Sequence, residues 1–163
     1  MAKQRRQYSG ADILAGPGHI ARPERVAAAL AGFVRETIGS LEATANCPEL
    51  ALDLPQGLAP DTRLMRFVDA VAAMAVPVLD ALTDQFARLC RAQRLDPHKE
   101  RQILDARAAE LIDYFSQLAR VHGIAFAGAE EPLAAGVADR ILESLARDLR
   151  TRLESRIAAL GPV

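Results

Sequence analysis

Arginine is the residue type in this chain with the clearest capacity for chemistry. Arg152 and Arg156 stand four residues apart among leucines at 142, 145, 149 and 153. On a helical wheel of about 100° per residue they lie roughly 60° and 20° from Leu149, inside the apolar sector. A guanidinium pair held against an apolar surface can clamp a carboxylate or a phosphate. It can equally close a salt bridge within the chain or between subunits, or run past the end of a bundle into water. The structural readings stand ahead of the clamp. Arg107 and Glu100 lean into the apolar stripe of an earlier segment, and Tyr114 follows Arg107 by seven residues, two helical turns. His122 lies four residues after Leu118 on that same line. The candidate ligand-binding residues are therefore Arg107, Tyr114, His122, Arg152 and Arg156. For His122, a role as ligand or proton acceptor competes with a plainer one. A histidine in a last helical turn complements the helix dipole and bonds free carbonyls.

Metal and nucleophile chemistry finds little material. The histidines are His19, His98 and His122, and none has Glu three residues before it. A di-metal bundle needs such Glu-x-x-His pairs, because they bring two ligands one turn apart onto the same ion. No His-Glu-x-x-His or Cys-x-x-Cys spacing occurs either, so no metal and no other cofactor is expected. Cys47 and Cys90 form no disulfide framework and read as free thiols of a reducing compartment. Cys90 lies between Leu89 and Arg91 with no histidine partner, which makes it a semi-buried structural residue rather than a nucleophile.

The elements that must position these residues are helices. From Pro23 onward, apolar residues recur at three- and four-residue steps in four blocks, 23–45, 61–95, 97–122 and 132–160. No stretch alternates as a strand would. The expected fold is all-α, a bundle of four long, mostly antiparallel helices with an irregular N-terminal arm. Residues 1–22 form the arm, because Gly10, Gly16, Pro17 and Gly18 interrupt any helix. Residues 23–163 form a single bundle domain. Half of the residues are hydrophobic but only 4% are aromatic, so the core is built from leucine, alanine and valine, with helices in close approach.

Local signals set the expected boundaries. Pro23 opens the first helix. Asp61 or Thr62 caps the second, Asp96-Pro97 starts the third after a short turn, and Gly123 ends it. Pro132 starts the fourth helix and Gly161-Pro162 stops it. The connection 48–60 carries Leu50, Leu52, Leu54 and Leu58 and reads as an ordered strap. Residues 70–79 are apolar all round, as in a centrally buried helix, and Pro77 within them predicts a kink that could frame a cavity. At ~1.5 Å per residue the second helix reaches roughly 50 Å, more than a compact domain needs.

Charge and composition narrow the function. A net charge of −1 gives no general attraction to nucleic acid or an anionic membrane. The longest apolar run is too short to span a bilayer, and residues 1–10 lack a signal peptide's apolar segment, so membrane insertion is not expected and the cytoplasm is. Lys3, Arg5 and Arg6 concentrate positive charge at the N-terminus, where three cations give weak, salt-sensitive phosphate attraction. The same arm carries Ile13, Leu14 and Ile20, apolar points that suit ordering on a protein partner. A bundle of this kind serves cytokines, ferritins, secretion chaperones and regulator domains alike, so the fold assigns no activity.

The leading expectation is a non-enzymatic interaction module: a small subunit, adaptor or chaperone-like assembly factor. It docks through Lys3, Arg5, Arg6, Ile13, Leu14 and Ile20 and through an exposed helix face, and a homodimer is one form this can take. The alternative is a bundle that binds an apolar or anionic ligand near Pro77 or near Arg152 and Arg156. Nucleic-acid association through the arm is weaker. An enzyme stands last, with arginine-dependent proton-transfer or pericyclic chemistry as its remaining route.

Overall fold

The computed structural model describes residues 22–43, 52, 54–129 and 131–161. Helix α1 (Pro23–Ala43) is followed by the long α2 (Pro60–Gln93) and by α3 (Arg101–Leu118). Helix α3 continues without interruption through a π turn (Ala119–Gly123) into the short α4 (Ile124–Ala127), and α5 (Val137–Ala158) completes the chain. Among the described residues there is no strand, and the fold is an all-α bundle of four long helices. No described helix is long and apolar enough to cross a membrane.

The spacing of the leucines explains the packing. Val26, Leu30 and Val34 of α1, Leu64, Phe67, Val71, Leu79, Leu82 and Phe86 of α2, Leu104, Leu111 and Phe115 of α3, and Leu142, Leu145, Leu149 and Leu153 of α5 are all buried. Removing each such side chain from water contributes ~1.5–3 kcal/mol. Helices α2 and α3 pack on each other, and each also packs on α1 and on α5. Helices α1 and α5 barely touch, so the α2–α3 pair forms the middle of the bundle.

Ion pairs record the helix directions. Arg101 and Arg120 of the third helical rod pair with Glu154 and Asp139, so the rod and α5 run in opposite directions. Asp80 and Asp84 of α2 pair with Arg152 and Arg156 at a constant offset of 72 residues, so α2 and α5 run the same way. At the other end of α2, Arg63 donates to the Phe126 carbonyl at 3.2 Å and its guanidinium stacks over the Phe126 ring at 5.0 Å. That contact fixes the start of α2 beside α4, and so α2 and α3 are antiparallel.

Several boundaries differ from the sequence expectation, each for a local reason. Helix α2 starts at Pro60, not Asp61, because proline is pre-formed for a first helical position; its N-cap is Ala59, which offers no side-chain acceptor. Asp61 instead accepts from the Thr62 amide at 2.8 Å. Arg94, with φ 55°, closes α2 in the left-handed region. Residues 97–100 form a turn rather than the first residues of α3, held by Asp96, whose carboxylate accepts from the His98 amide at 3.0 Å. The Asp96 carbonyl takes the amides of Lys99 and Glu100 at 3.1 and 3.2 Å.

Gly123 does not end the third rod but lies inside it, and α4 follows directly. A Cβ at this position would meet Phe67 Cδ1 at 2.9 Å and Leu64 Cδ1 at 3.0 Å. The glycine is therefore needed for close approach to α2, not for a left-handed cap. Helix α5 starts at Val137, five residues beyond Pro132, because Gly136 has φ 74° and a left-handed residue cannot continue a helix. Of the connection expected as a strap, Leu52 packs against the core and Leu54 and Leu58 are half-buried, while Leu50 lies outside the described residues.

The segment 70–79 is not buried all round. Ala73 and Pro77 are exposed, while Val71, Ala75 and Leu79 face the core. Alanine and proline on the outer face give an apolar sequence without a central position. Helix α2 runs through Pro77 as one element. The donor that proline lacks falls on the solvent side, where water can serve the freed Ala73 carbonyl.

Candidate functional site

Asp80 and Asp84 are one turn apart on α2, and Arg152 and Arg156 are one turn apart on α5. Because the two helices run in the same direction, the four charges stack as two rungs. Arg152 grips Asp80 with two hydrogen bonds, Nε to Oδ1 at 3.3 Å and Nη2 to Oδ2 at 2.7 Å. Arg156 donates from Nη2 to Asp84 Oδ1 at 2.6 Å. Its buried Nε lies 3.4 Å from Asp80 Oδ1, an ion-pair contact without the alignment of a hydrogen bond. Asp80 thus receives both arginines and is 25% exposed, whereas Asp84 is 60% exposed. The hydrogen bond from Arg152 holds the Asp80 carboxyl below its ordinary range; partial desolvation opposes this, and the charges of Arg152 and Arg156 reinforce it. In return Asp80 raises the Arg152 pKa. Two carboxylates and two guanidiniums cancel, so the ladder is a clasp between helices. An added anion would have to displace an aspartate.

A second ion-pair group extends the clasp to α3. Arg101 donates to Asp105 Oδ2 at 3.1 Å and also pairs with Glu154 of α5. All three side chains are 40% exposed or more, which places them in the solvent-screened class of surface pairs.

The remaining sequence candidates do not join this cluster. Arg107 pairs with Glu110 on its own helix. Tyr114 packs edge-on against Phe115, with ring centroids 5.3 Å apart. Burial raises its phenol pKa, and the negative charge of Glu42 on α1 adds to the shift. Tyr114 therefore answers to α1, while Arg152 and Arg156 lie on the α2–α5 seam. His122 is half-buried in the π turn, near the end of the rod where Arg120 pairs with Asp139 at 3.1 Å. Of the five candidates, only Arg152 and Arg156 come together; Arg107, Tyr114 and His122 each have other neighbours. Lys3, Arg5, Arg6, Ile13, Leu14 and Ile20 lie outside the described residues, as does Cys47. Pro77 is on the outer surface of α2.

Cys90 is fully buried. Burial first, then the negative charges of Glu100 and Asp96, push its thiol up to about 11. That keeps it protonated and inert, as expected for a structural cysteine. Among the described residues, no three His, Cys, Asp or Glu side chains gather closely enough to hold a metal ion.

Asp80 and Asp84 are the partners that sequence reasoning missed. Their four-residue spacing, equal to that of Arg152 and Arg156, was the available signal. It becomes informative only once α2 and α5 are known to be parallel neighbours. No protein-family model, curated protein or solved structure matches the chain.

Proposed function

We propose that the chain is a non-enzymatic helical interaction module, a small subunit, adaptor or assembly factor that docks a protein partner on the outward face of α2. The N-terminal arm supplies a second contact. One observation carries the reading. Between Asp69 and Asp84, the positions of α2 that point fully outward are Ala73, Pro77 and Ala81, all exposed and none charged. Met65, just before this strip, is 53% exposed. Helix α5 is the contrast, since its outward positions include Arg140, Glu143, Arg147, Asp148, Arg150 and Glu154. A face of small, uncharged residues lets a partner helix approach closely, while charged faces stay in water. The partner can be another protein or a second copy. A buried free thiol at Cys90 suits a reducing compartment, and a cytoplasmic site of action is part of the proposal.

The ligand-binding alternative at Arg152 and Arg156 requires breaking their pairs with Asp80 and Asp84, and so stands behind. Nucleic-acid association rests on three arm cations in a chain of net charge −1 and stands further back.

Affinity capture from the native host tests the proposal, with the full chain compared against an Ala73→Glu/Ala81→Glu variant. Both positions are exposed, so the variant should melt like the native protein. A defined protein retained by the native chain and lost by the variant is the expected result. An identical set of proteins on both removes α2 as the docking face.

A further inference from the structure

The C-terminal ends of α2 and α5 meet the α2–α3 turn around an open cleft of about 560 Å³. Helix α2 contributes Arg88 and Arg91 together with Ala87, and the turn and the end of α5 add the apolar Pro97 and Leu160. We propose that this cleft binds a small organic carboxylate, with the carboxylate on the two arginines and a short apolar body against Pro97 and Leu160.

Four observations support the assignment. The volume falls within the roughly 300–1,000 Å³ usual for small-molecule sites. Arg88 and Arg91 are three residues apart on one helix, so their guanidiniums reach the same neighbourhood. Among the described residues their charges are also unmatched. Arg88 donates to the neutral Gln85 Oε1 at 2.8 Å, and among the described residues no carboxylate pairs with Arg88 or Arg91. Asp84, which also lines the cleft, is held by Arg156. Finally, the cleft is preformed, because His98 donates from Nε2 to the Leu160 carbonyl at 3.0 Å and ties the end of α5 to the turn.

One force opposes an anion here. Two helices end at the cleft, and each helix C-terminus carries about half a negative charge. At α2 that charge is partly met within the chain, since the Cys90 carbonyl accepts from Leu95 at 2.8 Å and the Arg91 carbonyl from Arg94 at 3.1 Å. Two full cations outweigh what is left, and the attraction should weaken as salt rises.

The test is a titration of the full, isotopically labelled chain with sodium octanoate below its micellar range, followed by amide chemical shifts at constant ionic strength. Saturable shifts centred on Ala87, Arg91 and Leu160 are expected. An Arg88→Gln/Arg91→Gln variant with native melting should bind about tenfold more weakly or worse, since each charged hydrogen bond is lost. Inorganic phosphate, which has charge but no apolar body, should bind more weakly than octanoate. Shifts that never saturate, shifts scattered over the surface, or a variant that binds as tightly as the native chain would overturn the proposal. So would phosphate binding as tightly as octanoate.

Discussion

Asp80 is the hub of the ion pairs on the α2–α5 seam, since two arginines converge on it. Its pKa is depressed in the folded state, so its contribution to stability is complete above the unfolded carboxylate value of about 4 and is lost as pH falls through the lower folded value. Asp80→Asn should therefore lower the stability at pH 7, and the gap to the native protein should close as pH drops below about 4. Urea denaturation at several pH values measures both; a gap that persists undiminished into acid would show that the carboxylate charge is not what matters. Cys90 offers a second residue-scale check. In a Cys47→Ser chain at pH 8, a thiol reagent should modify native Cys90 about a hundredfold more slowly, or slower still, than the same thiol in denaturant. Equal rates would mean that the cysteine is neither buried nor protonated as described.

At the scale of elements, the apolar stripes were legible because a 3.6-residue period survives any tertiary arrangement. Leu64, Phe67, Leu82 and Phe86 of α2 and Leu142, Leu145 and Leu149 of α5 all face the core as their spacing requires. What was not legible depends on contacts between elements. Gly123 looks in sequence like a helix stop, and only the presence of Phe67 and Leu64 against it explains a glycine within a continuous rod. The same is true of Arg152 and Arg156, whose partners lie on a helix 72 residues away. Pro77 and the alanines around it illustrate the converse. A run without charges reads as buried, although exposed Ala73 and Pro77 satisfy the same pattern from the outer face. Gly123→Ala tests the close approach. Overpacking should cost ~1–3 kcal/mol, partly offset by roughly 1 kcal/mol of better helix propensity. The expected outcome is a net loss of about 1 kcal/mol in chemical denaturation, and a stabilised variant would contradict the contact with Phe67.

The described residues form a charged bundle that keeps an uncharged outward strip on α2. Helix α5 is clasped to α2 and α3 by the Asp80–Arg152, Asp84–Arg156 and Arg101–Glu154 contacts, while the outward strip of α2 has no charge to hold water. The most direct test of that contrast is photocrosslinking in living host cells, with a photoreactive residue in place of Ala73 in one chain and of Arg147 in another. Both positions are exposed, so both probes are equally free to react. A discrete adduct from position 73, absent from position 147, is the predicted result; an adduct of twice the chain's mass would make the partner a second copy. No adduct from position 73, or the same adducts from both positions, would contradict α2 as the docking face.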